Sequence, residues 1–113
     1  MPQTPEGKVK DKIKLLLKEF GIWYYMPVQT GWGVAGIPDF VCCWEGRFLG
    51  IEAKAPGKRT NCSPHQLRQR DEIVKAGGLW VVVDDAELLK YWLIKRQHFK
   101  RLPEALQDEI EKP

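Results

Sequence analysis

The chain has 113 residues, 43% of them hydrophobic and 29% charged. That is the size and balance of one globular domain, which excludes a disordered chain and a separate substrate domain. The net charge of +3 is too mild to name a partner, and with three cysteines, Cys42 and Cys43 adjacent, a disulfide framework is excluded.

The cysteine usage predicts a reducing, cytoplasmic setting. Met1-Pro2-Gln3-Thr4 does not read as a signal peptide, and no apolar run approaches the ~18 residues of a membrane span. The expected organisation is a single domain over 1–113, with a core at 4–84 and a helical extension at 85–113.

The first element is a helix. Thr4 suits the N-cap, Pro5 the first helical position and Glu6 the positive end of the dipole. Val9, Ile13, Leu16, Leu17 and Phe20 recur at helical spacing, and Gly21 stops the helix. Glu6 falls on the same side as Val9 and Ile13. It either complements the dipole or reaches into a polar site.

Residues 23–29 are strand-like by composition. The glycine-rich segment 31–36 leads into Pro38 and another strand, so it reads as a hairpin loop and not as a nucleotide fingerprint. The strand at 39–44 is apolar on both faces, hence central, with Cys42 and Cys43 packed in the core. Glu45-Gly46 turns the chain into a strand at 47–54, which Ala55-Pro56-Gly57 ends.

Ser63-Pro64 starts a second helix, in which Leu67, Arg70 and Val74 share a face with Gln66 and Ile73 at its margin. Gly77-Gly78 ends it, and 79–83 is a buried strand reached through a crossover, which predicts a partly parallel sheet. Asp84-Asp85 caps a helix containing Leu88, Leu89, Trp92 and Leu93, with His98 on its surface, and a last helix starts at Pro103. The predicted fold is α/β: a central mixed sheet flanked by helices, in the order αβββαβ plus C-terminal helices.

The charge is unevenly placed. Residues 47–70 carry six bases against Glu52, a local +5; residues 1–20 carry +2; residues 84–113 carry −1. Such patches attract phosphate backbones without reading sequence. Lys8, Lys12, Lys58, Arg59, His65, Arg68 and Arg70 are the candidate phosphate-backbone contacts, although a lysine face on the first helix is also what solvent alone favours.

Asp39, Glu52 and Lys54 stand out because they lie on strands expected to be interior. Glu52 and Lys54 are two apart and share a face. If their strand pairs with Asp39's across Glu45-Gly46, the three converge. Two carboxylates at one point repel unless a cation lies between them, and hard oxygens suit Mg²⁺ or Mn²⁺. A lysine beside them suits a nucleophilic water or a phosphate charge. Singly, Glu52 and Lys54 read as an ion pair and Asp39 as a turn residue.

The ordered set Gly36-Ile37-Pro38-Asp39, Ile51-Glu52-Ala53-Lys54-Ala55-Pro56-Gly57, Gln66 and Gly77-Gly78 resembles the VRR-Nuc domain of the PD-(D/E)XK nuclease superfamily, with its restriction-endonuclease-like core. The likeness runs from about Thr4 to Asp84 and is greatest to stand-alone, phage-encoded members.

The resemblance implies a Mg²⁺- or Mn²⁺-dependent DNA endonuclease of repair or recombination, acting as a homodimer on branched DNA such as four-way junctions. It implies that Asp39, Glu52 and the Ala53 carbonyl hold the metal and that Lys54 positions water. Gln66 would orient Lys54 or a phosphate, cap its own helix, or both. Glu6 matches the acid this superfamily supplies from its first helix. The segment from Lys58 to Pro64 is slightly longer than in many members.

Two other readings compete. A catalytically silent DNA-binding module gains nothing from repelling carboxylates. A structural subunit of a larger complex would need another chain for activity.

Overall fold

The computed structural model describes residues 3–29, 33–100 and 103–111. The elements follow the order α1 (Pro5–Glu19), β1 (Trp23–Tyr25), β2 (Phe40–Trp44), β3 (Arg47–Ala53), α2 (Pro64–Lys75), β4 (Leu79–Val83), α3 (Ala86–Lys100) and α4 (Glu104–Glu111). Residues 30–32 of the glycine-rich segment and the His98 side chain lie outside what is described.

Helix ends are set by local chemistry. Thr4 Oγ1 accepts from the Gly7 N–H at 3.0 Å and opens α1, a cap worth about 1 kcal/mol. Both α1 and α2 close with a left-handed glycine. Gly21 (φ 66°) lets Ile22 N–H reach the Leu17 carbonyl at 2.9 Å, and Gly77 (φ 96°) lets Gly78 N–H reach Ile73 at 2.9 Å.

The sheet order is β1-β2-β3-β4. The first two pairings are antiparallel and β3 runs parallel to β4. Glu45 (φ 50°) and Gly46 (φ 77°) form the two-residue turn of the β2–β3 hairpin, the twist-compatible type with both central residues at positive φ. The hairpin register pairs Phe40 with Ile51, which brings Asp39 beside Glu52 one step further on.

One sheet face carries Phe40, Cys42, Trp44, Leu49, Ile51, Ala53 and Val83. These form a single core with Val9, Ile13, Leu16 and Leu17 of α1 and Leu89 and Leu93 of α3. On the other face α2 packs beside β4, and Trp23, Tyr25 and Phe48 are exposed.

Several expectations shift. β1 ends at Tyr25 instead of running to 29, because Pro27 has no N–H for a ladder. Cys43 is exposed although Cys42 is buried: strand alternation sends them to opposite faces, and only one is covered. β4 is half-buried apart from Val83, as an edge strand should be. In α2 the half-buried stripe runs through Gln66, Leu67, Gln69, Arg70 and Ile73, leaving Val74 exposed. Leu88 of α3 is exposed too.

Candidate functional site

The site lies at the end of the β2–β3 hairpin, where the start of α2 and the first turns of α1 meet it. Two glycines make this approach possible. Gly36 (φ 82°) sits so close to α2 that a Cβ there would come within 2.3 Å of the His65 carbonyl carbon and 2.7 Å of the Gln66 nitrogen. At Gly50 a Cβ would come within 2.8 Å of the ring of Pro38, which is fully buried. The Gly36–Asp39 segment is thus wedged between α2 and β3, and this fixes the backbone that carries Asp39.

Asp39 Oδ2 accepts from the Ala53 N–H at 2.8 Å. Its other oxygen, Oδ1, lies 3.6 Å from Lys10 Nζ, which is also 3.2 Å from Glu6 Oε2. Glu52 is the single buried charged residue among those described, at 2% exposure. Its Oε1 accepts from Gln66 Nε2 at 2.9 Å. Its Oε2 is buried with no hydrogen-bond partner among the described residues.

Gln66 joins the parts. Its Oε1 accepts from Lys54 Nζ at 3.0 Å and from the Ser63 N–H at 2.9 Å, and its own N–H donates to Ser63 Oγ at 3.2 Å. Capping box and site contacts therefore coexist in one side chain. Lys54 itself extends the sheet, its N–H donating to Val83 O at 2.8 Å. Asp84 Oδ2 accepts from the Gly57 N–H at 3.1 Å and pins the turn that follows.

The electrostatics follow from this packing. Burial first, and then the neighbouring Asp39 carboxylate, push the Glu52 carboxyl up to about 9 against a weaker opposing pull from Lys54. For Lys10, burial works downward, but Asp39 and Glu6 together outweigh it and raise the ammonium above its ordinary value.

The donor set fits a hard divalent cation. A buried carboxylate oxygen without a partner is costly, and it lies beside a second carboxylate. Among the described residues no cluster of three or more His, Cys, Asp or Glu side chains could hold a metal. Mg²⁺ does not need one, since it binds through one or two carboxylates and keeps water and phosphate oxygens.

The other candidates are spread around this centre. Glu6 reaches it only through Lys10. Lys58, Arg59, His65 and Arg68 are exposed. Arg70 is held by Asp71 at 2.9 Å and lies over the Trp80 ring at 5.9 Å. Lys8 and Lys12 line a groove of about 520 Å³ with Pro56, Gly57, Asp84 and Asp85. The sequence reading missed Lys10, whose signal was its i,i+4 spacing from Glu6.

The architecture is an α/β fold with a four-stranded mixed sheet flanked by helices and a polar cluster at the end of its central hairpin. It matches a solved structure described as "VRR_NUC domain", with a TM-score of 0.67 and 25% sequence identity over 80% of this chain and 95% of that one. The resemblance read from the sequence motifs is thus matched in three dimensions by a VRR-Nuc domain. No family model and no curated protein matches the chain.

Proposed function

We propose that the protein is a Mg²⁺- or Mn²⁺-dependent endodeoxyribonuclease of the PD-(D/E)XK type, acting as a homodimer on branched DNA such as four-way junctions. The VRR-Nuc-like fold suggests a nuclease domain, and hence DNA as substrate. The observation that carries the reading is the buried, unpartnered Glu52 Oε2 next to Asp39, with Lys54 tied to Glu52 through Gln66.

Asp39, Glu52 and the Ala53 carbonyl would hold the cation, which when bound neutralises phosphate charge and eases deprotonation of water. Gln66 fixes the Lys54 ammonium, which donates to the attacking water or to a phosphate oxygen. The water oxygen attacks phosphorus and gives its proton to solvent, the bridging P–O bond breaks, and the leaving oxygen takes a proton from solvent water. Lys58, Arg59, His65, Arg68 and Arg70, with Lys8 and Lys12, supply contacts to the backbone. No helix among the described residues is long and apolar enough to cross a membrane.

One site cuts one strand, whereas a two-fold dimer presents two sites to two strands. The test is a panel of duplex, single-strand, flap, splayed-arm and four-way-junction DNA with Mg²⁺ and Mn²⁺, alongside light scattering. Paired nicks in the junction and a dimer mass are expected. Equal cutting of duplex and junction overturns the selectivity, a monomer mass overturns the dimer, and no cutting at all overturns the nuclease reading.

A further inference from the structure

Lys10 has no task in the reaction proposed above, yet it touches the site. The oxygens facing its centre are committed unequally. Asp39 Oδ2 is held by the Ala53 N–H and Glu52 Oε1 by Gln66. That leaves Asp39 Oδ1 and Glu52 Oε2 as the oxygens with spare capacity, and Lys10 Nζ already lies 3.6 Å from Asp39 Oδ1.

We propose that Lys10 competes with the divalent cation for Asp39 and moves onto Glu6 alone when the cation enters, so that Lys10 and Glu6 together set the cation affinity. This rests on the metal reading of Asp39 and Glu52. An ammonium and a divalent cation on one carboxylate oxygen repel each other strongly at such short range. Lys10 can yield because its side chain is partly exposed, at 27%, on a flexible four-carbon stem. Its second partner is already in place: Glu6 Oε2 is the nearer acceptor at 3.2 Å, one helical turn earlier and more exposed. Displacement therefore breaks one ion pair and keeps the other.

The pair has opposite expected effects. Without Lys10 the cation meets no competitor. Without Glu6 the ammonium has only Asp39 and competes harder. Lys14 provides a control of equal charge on the same helix, since it pairs with Asp11 at 3.6 Å and not with the site.

The test is Mn²⁺ binding to the DNA-free protein, followed by calorimetry and by the electron paramagnetic resonance signal of free Mn²⁺. Lys10→Met is expected to tighten binding about three- to tenfold, Glu6→Gln to weaken it about two- to fivefold, and Lys14→Met to leave it unchanged. Glu6→Gln in the Lys10→Met background should have little effect. Lys10→Gln serves as the second variant should Lys10→Met not fold by circular dichroism. Unchanged or weaker binding in the Lys10 variant, or equal tightening in Lys14→Met, overturns the competition while the metal reading stands. Wild-type protein that binds no Mn²⁺, and so does not differ from Glu52→Gln, overturns both.

Discussion

Gln66 Nε2 donates to Glu52 Oε1 at 2.9 Å, and this bond orients everything around it. With Lys54 Nζ and the Ser63 N–H both aimed at Gln66 Oε1, the amide can only turn its NH₂ toward the carboxylate. The start of α2 is thereby locked to the end of β3, and a buried acid and a buried-edge lysine are held apart at fixed positions.

Separating the cap from the site should be possible by substitution. Ser63→Ala removes the cap acceptor alone and is expected to cost about 1 kcal/mol in denaturant unfolding. Gln66→Ala removes the Ser63, Lys54 and Glu52 contacts together and is expected to cost about 2 kcal/mol. Cleavage should fall at least about a hundredfold in Gln66→Ala and by less than about threefold in Ser63→Ala. Equal losses in the two would reduce Gln66 to a helix cap.

Glu52 makes stability depend on pH in a stated direction. Its carboxyl is raised to about 9 in the folded chain, chiefly by burial, from an ordinary value of 4.5. The folded state then holds the proton more tightly. Its contribution is complete below about pH 4.5 and is lost as pH rises toward 9. In chelator, Glu52→Gln should therefore be more stable than wild type at pH 8 by about 1–2 kcal/mol, and nearly equal to it at pH 4. Added Mg²⁺ should raise the wild-type melting temperature at pH 8 and leave the variant unmoved. Thermal melts at the two pH values check this, and a wild type that outlasts the variant at pH 8 in chelator contradicts it.

Gly36 tests how the loop positions Asp39. Alanine there meets both a positive φ of 82° and the His65 and Gln66 backbone at 2.3–2.7 Å. Gly46 is a matched control, with φ 77° and nothing within 4 Å. Gly46→Ala should cost about 1 kcal/mol of backbone strain. Gly36→Ala should cost about 3 kcal/mol or more, because α2 must move away and take Gln66 with it. Urea unfolding of both variants measures the difference, and similar midpoints would mean that α2 is not braced by this loop.

Much of this was legible in the sequence, and the reasons are specific. The Thr4-Pro5 and Ser63-Pro64 caps, the Gly21 and Gly77 stops and the Glu45-Gly46 turn are local chemistry, and the structure places them accordingly. Asp39 and Glu52 could be paired because a two-residue turn fixes the hairpin register. The face of Cys43, the exposure of Val74 and the short β1 depend on which surfaces other elements cover, which no local pattern records. Lys10 was missed for the same reason: on α1 it reads as one of five lysines, and only docking of α1 brings it to Asp39.

Asp39, Glu52 and Lys54 are together proposed as a cation-dependent phosphodiester-cleaving site. Its most direct measurement is the initial rate of four-way-junction cleavage by wild type, Asp39→Asn and Lys54→Ala, each in Mg²⁺ and in EDTA, with folding confirmed by circular dichroism. Cleavage by wild type in Mg²⁺, none in EDTA, and a loss of about a thousandfold or more in each variant is the predicted result. Folded Asp39→Asn and Lys54→Ala proteins that still cut the junction at wild-type rates would contradict it.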